Sequence, residues 1–270
     1  MPVSEYERLL HTDFARTLRK PFRRAVEEYR MFAPGDHVAA CISGGKDSML
    51  LALLLRGLAR ELPLEISFLA MDPGYAPAHR QHIEANAERL GLPLHFFGTN
   101  ILRVAGRHSP EHPCFLCAKM RRGHLYAEAQ RLGCTKIALG HHYDDAIETV
   151  LMGLLYGGQV QAMLPRLHSK NYPGMELVRP LYFVREAAVS AWADACGLRF
   201  EPCGCPAAQR GTDGKRAEVK ALIARLAEGN PQVEKNILNA VKTVDTQKVL
   251  GWRDGAGRHS FLDAFETDTL

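Results

Sequence analysis

The sequence predicts an α/β fold, a doubly wound parallel sheet with a basic N-terminal helix and a small C-terminal helical annex. Two observations carry this. Short β-rich runs alternate with longer stretches of helical apolar spacing, the pattern of a parallel sheet covered on both faces. In addition, a glycine-containing hexapeptide closes one apolar strand and opens an apolar helix, as at the phosphate end of such sheets.

Taken in order, a helical segment fills residues 1–32. His37 to Ile42, Leu64 to Met71, Leu94 to Phe97 and Lys136 to Gly140 read as strands. Between them, Lys46 to Glu61, Pro77 to Leu90 and Cys117 to Leu132 have helical spacing, with Gly91 and Gly133 placed as C-terminal stops. Tyr143 to Tyr156 and Arg185 to Cys196 read as further helices, ended by Gly157-Gly158 and Gly197. The α/β domain then spans residues 33–200. Residues 201–270 hold a cysteine-containing segment, two helices over Gly214 to Ala227 and Gln232 to Val244, and a polar tail from Asp245 to which no element is assigned.

With 270 residues, 46% hydrophobic and 24% charged, the chain is expected to bury its own core, and a disordered or fibrous class is excluded. The longest apolar run, Met49 to Leu55, is far short of a membrane span, and the first thirty residues are too charged for a secretory signal, so a cytoplasmic location is expected. In that reducing compartment seven cysteines point to metal or redox chemistry before disulfides. A net charge of +4 announces no nucleic-acid binder by itself. Arg16, Arg19, Lys20, Arg23 and Arg24 nevertheless recur along one helix face, a candidate phosphate-contacting stripe whose alternative is a solvated face.

The hexapeptide is Ser43-Gly44-Gly45-Lys46-Asp47-Ser48. Adjacent glycines permit a tight turn that aims several N–H groups into one concavity, and the following helix N-terminus adds partial positive charge. Lys46 supplies a full charge, Ser43 and Ser48 hydroxyl donors, and Asp47 a Mg2+ ligand or substrate-orienting carboxylate. The spacing excludes a Walker A loop. Ser43 to Ser48 resembles the signature of the PP-loop, or adenine nucleotide alpha hydrolase-like, enzymes. The resemblance implies that the loop holds the pyrophosphate of ATP while the α-phosphate is attacked, giving AMP and pyrophosphate.

Gly140-His141-His142-Tyr143-Asp144-Asp145 stands at another strand-to-helix turn and is similar to the Gly-His-x-x-Asp-Asp block of PP-loop enzymes that modify tRNA. There Asp144 or Asp145 could hold Mg2+ or cap the helix, and His141 could touch phosphate or a base. Between the two blocks Cys114 and Cys117 form a C-x-x-C at a helix start, and 86 residues beyond Cys117 stands Cys203-Gly204-Cys205. Four sulfurs could hold a structural zinc, or three a 4Fe-4S cluster, and spacing alone does not separate these. Cys41, Cys134 and Cys196 read as small core hydrophobes. Arg121 and Arg122 follow on the cysteine helix as candidate RNA-phosphate contacts.

The order of Cys114 to Gly123, Gly140 to Asp145, Tyr156 to Gly158, Arg179 to Leu181 and Pro202-Cys203 resembles that of the tRNA 2-thiocytidine synthetase family over most of residues 10–210. That resemblance implies a tRNA sulfurtransferase using ATP, Mg2+ and a 4Fe-4S cluster ligated by Cys114, Cys117 and Cys203. One iron is left open for sulfur. Asp47 and Asp145 would hold Mg2+. A sulfur donor such as a cysteine desulfurase and a homodimer are implied as well. The chain departs from the family in carrying Cys-x-Cys where Cys-x-x-Cys is usual, which leaves Cys205 as the rival third ligand. The alternatives are a lysidine synthetase-like enzyme, which needs no cysteines, a desulfidase, which needs no intact ATP site, and a nucleotide-binding module with structural zinc.

Overall fold

A computed structural model describes residues 1–108, 113–201 and 214–265. The chain opens with α1 (Val3–His11), a π-helical turn (Ala15–Arg19) and α2 (Lys20–Glu28). Strand β1 (His37–Ile42) leads into α3 (Lys46–Leu58), followed by β2 (Glu65–Asp72), α4 (Pro77–Arg89), β3 (Leu94–Gly98), α5 (Ile101–His108) and α6 (Pro113–Arg131). After β4 (Lys136–Ala138) and α7 (Tyr143–Gly157) come two short strands, β5 (Arg166–His168) and β6 (Glu176–Val178), and then α8 (Glu186–Ala195). The remainder holds α9 (Gly214–Gly229), α10 (Val233–Lys242), a hairpin of β7 (Gly251–Arg253) and β8 (Arg258–Ser260), and α11 (Phe261–Phe265).

Six strands form one sheet in the order β3-β2-β1-β4-β6-β5, parallel throughout except for β5, which runs antiparallel to β6 at the edge. From β1 the chain moves outward through β2 and β3, then returns to lay β4 on the other side of β1. The order therefore reverses between β1 and β4, and ligands of open α/β sheets bind in the crevice at such a point. Helix α3 is buried on all sides from Ser48 to Leu55, as its uninterrupted apolar run requires. One cluster of buried side chains draws on Tyr6 and Phe22 before the sheet, Leu50 of α3 and Ala138 of β4, and Val219 and Leu238 after the sheet.

The sequence reading omitted α5, β5, β6 and the terminal hairpin with α11. Strand β6 is three residues long and begins with a charge, so it carries no apolar pattern. Its register explains the charge. Glu176 lies opposite Lys136, whose Nζ donates to it at 2.6 Å, and Arg166 grips it from β5 at 2.7 and 3.0 Å. Burial alone would raise the Glu176 carboxyl, but the Arg166 and Lys136 hydrogen bonds outweigh it and hold the group at about 2. A carboxyl with a depressed folded-state pKa stabilises the fold above its unfolded value of 4.5 and loses that contribution as pH falls toward about 2. Glu176→Gln is expected to cost about 2 kcal/mol at neutral pH, because it removes the carboxylate shared by Arg166 and the buried Lys136, which then keeps only Asp36 at 3.5 Å. Thermal unfolding between pH 7 and 2.5 checks this, with the variant flatter than wild type below pH 4.5; parallel curves would refute it.

Candidate active site

The phosphate loop takes its shape from two glycines with different duties. Gly44 has φ +87°, and a Cβ there would lie 2.6 Å from Ile83 Cγ1 of α4. Gly45 is extended at φ −82° and forms the N-cap of α3. Ser48, buried, braces the turn. Its hydroxyl donates to the Gly45 carbonyl at 2.9 Å and accepts from the Ser43 N–H at 3.2 Å. Ser48 also lines the pocket described below, so its hydroxyl braces the loop at the edge of that pocket.

The second block reaches the first through its backbone. A Cβ on Gly140 would sit 3.1 Å from both the Asp47 carbonyl carbon and the Ser48 nitrogen, so only glycine lets β4 deliver its loop this close to α3. His142 and Asp145 form a reciprocal cap on α7. The Asp145 N–H donates to His142 Nδ1 at 3.3 Å and the His142 N–H to Asp145 Oδ2 at 3.0 Å. The other ring nitrogen of His142, Nε2, faces Asp47 Oδ1 at 3.9 Å.

Between these loops lies a pocket of about 260 Å³, lined among others by Ser43, Asp47, Tyr75, Arg121, His141 and Asp145. Asp47 Oδ1 is buried without a hydrogen-bond partner, an acceptor left for a bound cation or donor. Burial raises the Asp47 carboxyl, and Lys46 and His142 oppose that shift. His141 is pushed down to about 4, first by burial and then by Arg179, whose Nε points at its Nδ1 across 3.4 Å. It is therefore a neutral imidazole near pH 7. Arg179 is itself buried, and burial and Arg122 lower it to about 10, so it keeps its charge. Arg121 donates to the Tyr75 hydroxyl at 2.8 Å, while Arg122 is exposed two turns from the helix start.

Several expected residues lie elsewhere. Lys46 does not line the pocket but turns to Asp47 and Glu186. Asp144, expected as a ligand, has both oxygens engaged. Oδ2 accepts the Glu186 N–H at 2.7 Å and Oδ1 meets Arg185 at 3.0 Å, so it joins α7 to α8. Arg19 and Arg23 both pair with Glu61, just past the C-terminal end of α3 and about 20 Å along it from the loop at 1.5 Å per residue. The basic stripe is thus divided. Arg16, Lys20 and Arg24 remain exposed, with Arg24 lying over the Phe183 ring.

Cys117 is buried with Met71 and Ile101 in an apolar cluster that also packs Leu125, and Met71 and Leu125 line the pocket. Cys114 lies one turn earlier on α6, near the helix N-terminus, where thiolates are favoured, and its side chain is outside the described residues. Cys203 and Cys205 also lie outside them. Cys117, in an apolar wall beside the pocket, is the one expected thiolate ligand whose side chain is described, and its chemistry fits a cluster ligand. Cys41, Cys134 and Cys196 are buried, and burial pushes their thiols up to about 12, 11 and 11, so they stay protonated and structural.

A family model described as a PP-loop domain matches residues 10–202. A protein of Syntrophotalea carbinolica named tRNA-cytidine(32) 2-sulfurtransferase is 36% identical over 256 residues, covering 93% of this chain and 95% of its own. One of the same name from Anaeromyxobacter dehalogenans is 35% identical over 262 residues, covering 92% and 88%. This chain belongs to the tRNA-cytidine(32) 2-sulfurtransferase family of PP-loop proteins. The fold agrees with that of a U34-tRNA thiolase, NcsA from Methanococcus maripaludis, solved with its 4Fe-4S cluster. That structure has a TM-score of 0.64 and 19% identity, over 84% of this chain and 79% of that one.

Several residues in and around this pocket were not singled out from the sequence. Arg179 stood in the Arg-Pro-Leu block without a role, and its buried contact with His141 supplies one. Tyr75, in the turn after β2, and Ile83 of α4 carry no local signal, because only the tertiary fold brings them against Arg121 and Gly44. Arg216 of α9, 3.2 Å from Asp145 Oδ1 and 2.8 Å from the buried Glu148, is equally invisible in one dimension. Among the described residues no helix is long and apolar enough to cross a membrane.

Proposed function

We propose that this chain catalyses ATP-dependent thiolation of tRNA, converting cytidine 32 of the anticodon loop to 2-thiocytidine with release of AMP and pyrophosphate. The observation that carries this reading is the meeting of both strand-end loops at one pocket whose apolar wall continues into Cys117.

In this reading Ser43, Gly44, Gly45 and Lys46 receive the pyrophosphate portion of ATP at the N-terminus of α3. Asp47 and Asp145 both line the pocket and hold Mg2+, the unpartnered Asp47 Oδ1 directly and Asp145 by exchanging its Arg216 contact for the ion. The cytidine 2-carbonyl oxygen attacks the α-phosphorus, the bond to the β-phosphate oxygen breaks, and the base oxygen becomes part of a leaving group. Sulfide then adds to C2 and AMP departs with the original oxygen, so that a C=S replaces a C=O. His141, neutral and oriented by Arg179, offers its remaining ring nitrogen to phosphate or base without adding charge. Arg121 and the exposed Arg122 lie where RNA backbone approaches the cysteine helix, and Arg16, Lys20 and Arg24 extend a second, more distant contact. When held by Cys114, Cys117 and Cys203, a 4Fe-4S cluster would leave one iron without a protein ligand and supply the place where sulfur is carried.

Each turnover consumes one sulfur atom, which calls for a donor such as a cysteine desulfurase. A cytoplasmic location and a homodimer complete the proposal. The phosphate loop at the pocket argues against a desulfidase, and Cys117 packed just behind the pocket wall against a lysidine synthetase-like reaction. The experiment is anaerobic purification with counts of iron and acid-labile sulfide, together with nucleoside mass spectra of tRNA from cells with and without the gene. About four irons and four sulfides per chain and loss of 2-thiocytidine are expected. Zinc in place of iron would overturn the sulfur route, and unchanged 2-thiocytidine the substrate.

A further inference from the structure

Lys46, the one lysine of the phosphate loop, is held away from the pocket by a residue that neither loop contains. Its Nζ lies 3.3 Å from Glu186 Oε1, about as close as to Asp47 Oδ2 at 3.4 Å. Glu186 opens α8, and its position is set by the second loop, because its own N–H is bound by Asp144 Oδ2. Its other oxygen, Oε2, accepts from Lys220 of the annex helix α9. One carboxylate thus stands between two lysines, one on the phosphate loop and one on the annex. The Glu186 side chain is 28% exposed and that of Lys220 57%, so the inner pair is the less screened.

We propose that Glu186 is a positioning residue that competes with pyrophosphate for Lys46, and that Lys220 sets the strength of that competition. The inference rests on the reading that pyrophosphate is formed on this loop. When nucleotide phosphates arrive, Lys46 turns from Glu186 to them, and Lys220 keeps the vacated carboxylate neutralised. After the bond between the α- and β-phosphates has broken, Glu186 draws Lys46 back and the product anion loses the lysine's charge. A loop built only for tight phosphate binding has no use for a carboxylate here, since it lowers affinity for every anionic ligand. An enzyme that must release pyrophosphate at each turnover does.

The test is titration calorimetry of Mg2+-pyrophosphate, and separately of Mg2+-ATP, on the full-length protein. Glu186→Gln, which preserves shape while removing charge, is expected to bind pyrophosphate at least fivefold more tightly and to show a matching rise in product inhibition. Lys220→Met, at an exposed position that leaves the fold intact, is expected to bind it at least twofold more weakly, since Glu186 is then left to Lys46 alone. Opposite signs are the signature, because a merely structural contact would weaken binding from both sides. Variants that move together, or a Glu186→Gln protein with wild-type affinity, overturn the competition while leaving the nucleotide reading in place. A wild-type protein that binds neither Mg2+-ATP nor Mg2+-pyrophosphate overturns both.

Discussion

Gly44→Ala is expected to lower kcat/KM for ATP by about 10²-fold or more, whereas Gly45→Ala costs no more than about tenfold. The two residues are neighbours and identical in sequence, so the contrast is entirely conformational. At φ +87° an L-residue pays about 1–2 kcal/mol of backbone strain, and the added methyl must also displace Ile83, itself buried in the core. The simplest relief is for the turn to open. That moves the amides which point at the pyrophosphate, and a displacement near 1 Å is enough to cost about 10²-fold in rate. At Gly45 the new methyl meets nothing closer than Ser43 Oγ at 3.7 Å, and the backbone is extended. ATP titration and steady-state kinetics on the pair check the expectation. Equal behaviour of the two variants would show that the loop geometry is not what binds ATP.

Cys117→Ala is expected to lower thiolation by about 10³-fold or more while leaving ATP affinity within about threefold of wild type. The loss is large because ligands of one reactive centre act as a unit. The ATP side is spared because Cys117 lies behind Met71 and Leu125 and does not line the pocket. Removing one sulfur from the cluster of Met71 and Ile101 leaves a small cavity worth about 1 kcal/mol, too little to unfold the chain. Cys196→Ala, equally buried but packed with Trp192 and Leu198 in the main core, is the control and should thiolate normally. Iron content separates causes: an inactive Cys117→Ala protein with a full iron complement would mean that Cys117 does not ligate the cluster.

Much of this site was legible in one dimension because its motifs sit at strand-to-helix turns, where geometry is local. The loop from Ser43 to Ser48 must follow a strand and open a helix for its amides to converge, and both flanks announce themselves by apolar runs. The C-x-x-C pair spans a single turn of α6. The roles of individual side chains were less legible. Asp144 and Asp145 are adjacent and alike, yet α7 turns one toward α8 and the other into the pocket. Arg19 and Arg23 read as free cations until Glu61 is seen to meet them.

By itself the sequence determined the α/β class, the phosphate loop and, through the order of its blocks, the family to which the chain belongs, since each block rests on residues within about one turn or one strand of each other. Only the tertiary structure decided which glycine is indispensable, which aspartate faces the ligand, and that Lys46 rests against Glu186, 140 positions away. The physical reason is that short-range order follows from local sterics and periodicity. The partner of a charge depends instead on which distant element the sheet order brings beside it, and here the reversal between β1 and β4 makes that choice.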